Sequence, residues 1–140
     1  MQSVEQEFEI VLPKRDNSGQ PIAPEVLEAY VRRVAEHFGG ATVYADVVGC
    51  WDDGSHLQCE PNIVVTAVRP DRDFTPQIGQ EDRQFMSELA HRAGVELGQE
   101  AIMERTAQGT HTFFVQGRKL ASLPSNLLAH ENVFARALSE

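Results

Sequence analysis

The densest group of side chains that could bind a metal ion or a ligand lies in residues 50–60, CWDDGSHLQCE. Thiolate, imidazole and carboxylate groups are the ligands that transition metals take in proteins. Cys50, His56 and Cys59 are therefore candidate metal ligands, although no short-spaced pair such as CxxC or HxxxH accompanies them. The plainer interpretation is a hydrophilic turn in which the cysteines are small strand residues and His56 is solvated.

The chemistry of these residues depends on how two strands are joined. Residues 41–51 alternate so that both faces of a strand receive apolar side chains, with Tyr44 and Trp51 on opposite faces. Residues 62–68 are rich in β-branched side chains, and the polar turn before them contains Gly54, which adopts a positive φ without steric cost. The segment therefore predicts an antiparallel hairpin.

Two registers of this hairpin stay open. A four-residue loop, residues 53–56, places Cys50 opposite Cys59, whereas a two-residue loop places Cys50 opposite Leu57. The first register allows a disulfide. A chain with two cysteines and no export signal is, however, expected in a reducing compartment, where thiols stay free. We therefore expect no disulfide here.

Five side chains are candidates for binding a small ligand. Trp51 offers a large flat surface that stacks on a ligand or anchors a partner. Tyr44 and Asp46, two residues apart, could act as acid and base in a cleft. His56 and His111 complete the set as polar residues expected near the same pocket. The alternative for each is structural: Trp51 fills a core or an interface, and the polar side chains face solvent. No catalytic residue is assigned.

Two helices accompany the hairpin. Residues 24–38 carry apolar side chains at three- and four-residue spacings and end before Gly39 and Gly40, which readily adopt the left-handed conformation that closes a helix. His37, near this end, is expected to interact with the helix dipole. A second helix is predicted at about residues 79–97. Its inner stripe consists of Phe85, Met86, Leu89, Ala90 and Ala93.

The remaining strands define the fold. Residues 8–12 predict a short buried strand. Residues 99–105 and 110–116 predict a second hairpin around a turn at residues 106–109. The order βαββαβ is the split βαβ arrangement of a ferredoxin-like α+β fold, in which one antiparallel sheet carries both helices on one face. The last predicted strand is then an extra C-terminal hairpin strand.

The predicted organisation is a single domain, residues 1–140, with a core at residues 8–116 and an apolar tail at residues 117–140. This fold leaves one face of the sheet without helices, yet residues 43–51 carry apolar side chains on both faces. A large exposed apolar face usually marks an interface. We therefore expect the tail or a second subunit to cover it, which predicts a homo-oligomer such as a homodimer.

Composition narrows the classes of function. The 140 residues are 41% hydrophobic and 24% charged, which is typical of one globular domain. A net charge of −9 repels a phosphate backbone, so no nucleic-acid partner is expected. No apolar run approaches the roughly 20 residues that cross a bilayer, and residues 1–9 contain three acids. We expect a cytoplasmic protein without membrane contact, and no motif predicts a cofactor.

Three short motifs carry a resemblance to known proteins. They are FGGATV at residues 38–43, GCW at residues 49–51 and LGQEA at residues 97–101. In this respect the chain resembles a group of small bacterial proteins of unknown function, over about residues 8–115. The resemblance implies a ferredoxin-like α+β fold and supplies no activity or catalytic residue.

Three functions follow from these patterns. The first is a self-associating binding or structural domain without catalysis. The second is a small-molecule-binding protein or enzyme whose pocket lies on the open face of the sheet near Trp51. The third is metal binding through Cys50, His56 and Cys59.

Overall fold

A computed structural model describes residues 2–99, 102–108 and 113–114 of the chain. Predicted residues outside these ranges, including His111 and the tail at residues 117–140, lie outside the described structure. The elements in chain order are β1 (Gln2–Pro13), α1 (Pro24–Phe38), β2 (Thr42–Asp52), β3 (Leu57–Pro70), a short 3₁₀ turn (Asp71–Asp73), α2 (Pro76–Glu96), β4 (Glu104–Gln108) and β5 (Phe113–Phe114).

The sheet has the strand order β2-β3-β1-β4, and all three neighbouring pairs are antiparallel. The central strands are β1 and β3. Each is followed by a helix that connects it to an edge strand, α1 leading to β2 and α2 leading to β4. This is the ferredoxin-like α+β fold that the order of elements predicts. Neither described helix has the length and apolar composition to span a bilayer.

The hydrophobic core lies between the sheet and the helices. Both helices and both central strands contribute buried apolar side chains, those of the strands from alternate positions. They are Leu27, Tyr30 and Val34 of α1, Met86, Leu89 and Ala93 of α2, Phe8, Ile10 and Leu12 of β1, and Ile63, Val65 and Ala67 of β3. Because side chains alternate across a strand, the other positions of β1 and β3 face away from the helices. We call that side the open face.

The helix boundaries follow local chemistry. As predicted, α1 begins at Pro24 and ends before Gly39, whose φ of 86° closes the helix. The second helix starts three residues earlier than the predicted Gly79, because Pro76 occupies its first turn and the side chain of Thr75 accepts a hydrogen bond from the backbone N–H of Ile78.

The C-terminal strands differ from the prediction. The prediction of a turn at residues 106–109 is wrong for residues 106–108. These residues belong to β4 and pair with β1. Both β4 and β5 run antiparallel to β1, so they do not form a hairpin with each other. The reason is the length of β1: it spans Gln2–Pro13 instead of residues 8–12, and the longer strand offers backbone partners to both segments.

The hairpin of β2 and β3 has the register of the four-residue loop, in which Cys50 pairs with Cys59. A β-bulge interrupts β2 between Tyr44 and Val47. The uninterrupted alternation predicted for residues 41–51 is therefore wrong, because one extra residue reverses the facing of every later position. As a result Tyr44 and Trp51 lie on the same face, the open one.

Candidate functional site

The hairpin extends beyond the rest of the described sheet. Pairing between β1 and β3 ends with Pro13 opposite Asn62, and one further backbone hydrogen bond joins Lys14 N–H to Pro61 C=O at 3.1 Å. Past that point β3 pairs only with β2 among the described strands. We call residues 48–60 the hairpin arm. The helices lie over the other end of the sheet, so the arm is a two-stranded ribbon outside the core.

A single carboxylate organises the tip of the arm. Asp53 Oδ1 accepts hydrogen bonds from the backbone N–H groups of Ser55 and His56, each at 2.9 Å, and Oδ2 accepts one from Gln58 Nε2 at 2.6 Å. These donors, led by the N–H of His56, hold the pKa of Asp53 well below its usual range. Gly54 completes the turn with a φ of 93°. The tip is thus a structured turn.

The arm carries exposed apolar side chains on both faces. Trp51 lies on the open face and is 47% exposed. Val48 and Leu57 lie on the helix side of the ribbon and are 69% and 66% exposed. Tyr44, nearer the body of the sheet, is 55% exposed on the open face. Large apolar side chains in these positions leave a substantial surface in contact with water.

A disulfide joins Cys50 and Cys59, whose Cα atoms are 4.0 Å apart. The prediction of free thiols is therefore wrong: directly opposed strand positions bring the two sulfur atoms together. The bond leaves no thiolate for a metal ion. Among the described residues no group of three or more His, Cys, Asp or Glu side chains is placed to hold one. The ring of His56 instead lies 2.9 Å from Ser55 Oγ within the turn.

The other predicted ligand residues are spread along the hairpin. Asp46, in the bulge, is exposed and accepts a hydrogen bond from Lys14 Nζ at 3.2 Å. Tyr44 lies on the open face, whereas His56 is at the tip of the arm. The structure thus brings Tyr44 and Trp51 to one face and directs Asp46 toward a lysine.

Sequence reasoning missed a buried ionic cluster. Asp82, 1% exposed, accepts two hydrogen bonds from Arg69 at 2.9 Å, through Nε and Nη2, and its Oδ1 lies 2.8 Å from His37 Nε2. The carboxylate raises the pKa of Arg69. The ring of His37 stacks on Phe85 at 3.9 Å. His37 lies in the last turn of α1, as the prediction of a contact with the helix dipole requires, and its ring also contacts an acid on the other helix.

A signal for this cluster is present in the sequence. Asp82 precedes Met86 by four residues, and Leu89 and Ala93 follow at helical spacing, so an acid occupies the inner stripe of α2. A carboxylate at such a position requires buried donors. The cluster links α1, β3 and α2. Because its donors already satisfy the carboxylate, we assign it to the stability of the fold.

A second polar contact also joins the helices. Tyr30 Oη donates a hydrogen bond to Glu96 Oε2 at 2.5 Å, linking α1 to α2. Burial of the phenol and this bond raise the pKa of Tyr30 well above its usual value. The phenol therefore remains a hydrogen-bond donor at neutral pH, as a structural contact requires.

A cavity of about 470 Å³ lies at the opposite end of the hairpin from the arm. β2 begins at Thr42, opposite Thr66, whereas β3 continues to Pro70, so the last four residues of β3 have no partner from β2. The cavity occupies this position. The residues around it include Phe38, Gly40, Thr42, Thr66 and Val68. Its volume suits a small ligand.

Comparisons with known proteins support the fold. No family model matches the chain, and no curated protein matches it. A phage SAM lyase in complex with S-methyl-5'-thioadenosine has a TM-score of 0.55 and 9% identity, covering 76% of this chain and 82% of that one. The apo form of the lyase has a TM-score of 0.55 and 10% identity, and the match covers 75% of this chain and 81% of that one. The divalent ion tolerance protein CutA1 from Ehrlichia chaffeensis has a TM-score of 0.44 and 4% identity, and the match covers 96% of this chain and 97% of that one. The likeness to the lyase establishes a shared fold.

Proposed function

We propose that this protein is a self-associating binding or structural domain whose hairpin arm and open face bind a second copy of the chain. The observation that carries the proposal is the exposure of Tyr44 and Trp51 on the open face, where Trp51 lies on the part of the ribbon outside the core. Burying a fully exposed apolar side chain contributes roughly 1.5–3 kcal/mol, and a partly exposed one contributes in proportion to its exposed area. An interface that buries these side chains gains this free energy, whereas in the isolated chain they remain in contact with water.

The open face continues the apolar surface of the arm across three strands. The strand register places partly or largely exposed apolar side chains there, at positions that the helices do not cover. They are Val11 of β1, Tyr44, Val47 and Trp51 of β2, and Val64 and Val68 of β3. Two such sheet faces pack against each other at about 10 Å in layered β proteins.

Charge favours a second copy as the occupant. The β2 edge of the sheet bears the acidic arm, with Asp53 and Glu60, whereas Arg105 is exposed on β4 at the opposite edge. Arg105 faces the open side, since it pairs with Glu9 across β1 and β4. A two-fold axis between open faces and parallel to the strands would set Arg105, which lies 3.4 Å from Glu9 within its own chain, over the acidic edge of the other copy.

Substitution of the exposed indole tests the proposal. We expect Trp51→Glu to weaken self-association at least about 30-fold, because the loss of an aromatic anchor at an interface costs about 2 kcal/mol or more. Molar mass measured by light scattering across a dilution series gives the dissociation constant. The matched control is Val95→Glu, because Val95 is 74% exposed but lies on α2.

The two variants make the test decisive. The proposal requires that Val95→Glu assembles like the wild type while Trp51→Glu does not. Equal masses for Trp51→Glu and the wild type would contradict it, as would equal loss of assembly in both variants. Circular dichroism of each variant confirms that the fold is retained.

The cavity supports a second candidate, a small-molecule-binding protein. A Cβ atom added at Gly40 would meet no atom within 4 Å, so we expect Gly40→Val to place its side chain in free space beside the cavity. We expect a member of a metabolite panel to raise the melting temperature of the wild type in a saturable way and to leave Gly40→Val unchanged. A panel without any saturable shift, or an equal shift in the variant, would exclude this site.

A further inference from the structure

We propose that the Cys50–Cys59 disulfide is a thiol–disulfide exchange site that reacts with low-molecular-weight thiols in the folded protein and prefers cationic aminothiols to anionic thiols. Nothing in the proposed self-association requires this chemistry. The inference rests on the exposure of the bond, on the backbone contacts that surround it and on the charge of the arm.

The bond is accessible. Cys50 and Cys59 are both exposed, and they lie in the part of the hairpin that β3 shares only with β2 among the described strands. The helices and the buried core are at the other end of the sheet. A thiolate must approach a sulfur atom directly to displace its partner, and exchange is therefore governed by access. Here the approach does not require unfolding.

The surrounding structure is held independently of the disulfide. Backbone pairing continues on both sides of it, at Gly49 opposite Glu60 and at Trp51 opposite Gln58. The turn beyond is organised by the hydrogen bonds of Asp53. Opening the bond therefore leaves the two sulfur atoms facing each other. The reaction is consequently local and reversible.

The charge of the arm determines which thiols react. Residues 34–68 contain no Lys or Arg, and Lys14, whose backbone bonds to Pro61 beside the arm, has its ammonium group 3.2 Å from Asp46. Asp52 lies on the same face of the ribbon as the disulfide, and Asp53 and Glu60 lie within three residues of a bonded cysteine. The titratable groups of the arm are these three carboxylates and His56. Carboxylates repel the thiolate of an anionic thiol, whereas the thiolate of an aminothiol carries an ammonium group that offsets its charge, and salt screens this difference. Cysteamine is the simplest thiol of the second kind.

The reaction balances as an ordinary exchange. The thiolate formed from one thiol attacks one cysteine sulfur, a new S–S bond forms, the Cys50–Cys59 bond breaks, and the other cysteine leaves as a thiolate that takes up the proton. A second thiol molecule then attacks the mixed disulfide. Two thiols are oxidised to one small disulfide, and the protein disulfide is reduced to two thiols.

The test is reduction of the folded protein without denaturant. The wild type is treated at low salt with equal concentrations of cysteamine or glutathione, quenched with iodoacetamide and analysed by mass spectrometry. Each rate is divided by the rate of the same thiol with hydroxyethyl disulfide, a neutral reference that removes intrinsic differences in reactivity. We expect cysteamine to be favoured about 10-fold, within the range of electrostatic rate effects, and the preference to fall at high salt.

A charge variant separates this mechanism from simple exposure. The double variant Asp52→Asn and Glu60→Gln should still react with both thiols. Its normalised ratio of the cysteamine rate to the glutathione rate should fall toward one, the value defined by the neutral reference. Three results would overturn the proposal: a bond that resists both thiols until denaturant is added, equal normalised rates for the two thiols, or an unchanged preference in the variant.

Discussion

Gly49 lies on the open face of β2 beside the side chain of Asn62. A Cβ atom at this position would lie 2.6 Å from Asn62 Nδ2, which donates a hydrogen bond to Glu60 C=O at 3.2 Å. Asn62 is buried, so its amide can move away only by losing that bond. The absence of a side chain at Gly49 is therefore a packing requirement of the arm.

We expect Gly49→Ala to destabilise the protein by about 1 kcal/mol, the net contribution of a typical hydrogen bond. Urea unfolding measures the change. The same substitution in an Asn62→Ala background should cost much less, because the clashing amide is gone, and a double-mutant cycle isolates that coupling. Equal losses in both backgrounds would show that Asn62 is not the obstacle.

Sequence and structure agree unevenly at the residue scale. The sequence predicts Trp51 as a residue that contacts a ligand or a partner. In the structure it is exposed on the open face, as its position on β2 determines. The disulfide is not predicted, because the expected reducing compartment argues against it. Its geometry depended on a register that the sequence left open. Asp82 is not predicted as buried, because an acid does not contribute to the apolar periodicity that identifies the inner stripe of α2.

The elements of the fold are tied together by that acid. Asp82 on α2 bonds to Arg69 on β3 and to His37 on α1, and the guanidinium also lies 5.2 Å from the ring centre of Phe38. Removing one partner of a buried ion pair leaves an uncompensated charge in the interior. The cluster therefore holds both helices on the same side of the sheet.

We expect Asp82→Asn to lower the free energy of unfolding by about 3 kcal/mol, since the substitution keeps the shape of the side chain and removes its charge. Chemical denaturation at neutral pH measures it. The control is Glu88→Gln on the exposed side of the same helix, which should change stability by less than about 0.5 kcal/mol. Similar losses in the two variants would contradict a special role for the cluster.

The elements themselves could largely be predicted. The helix α1 follows from its apolar spacing, Pro24 and Gly39, and the βαββαβ order follows from alternating patterns. The bulge between Tyr44 and Val47 could not, because one inserted residue leaves the composition of a strand unchanged and reverses only its facing. That reversal placed Tyr44 and Trp51 on one face, where a strict alternation separates them.

At the scale of the whole molecule, both described helices pack on one face of the sheet, as the order of elements predicts. The other face is continuous with an arm whose two sides bear exposed apolar residues. The sequence could predict that this surface needs a partner but not where it projects, because the reach of the arm depends on where β1 stops pairing with β3. The single-domain organisation and the cytoplasmic location stay predictions.

The central claim is that this surface binds a second copy, and the molar mass of the wild-type protein at high micromolar concentration tests it most directly. The single chain has a mass of 15.6 kDa. Light scattering should give at least twice this value and fall toward it on dilution. A mass of one chain at every concentration would contradict the account.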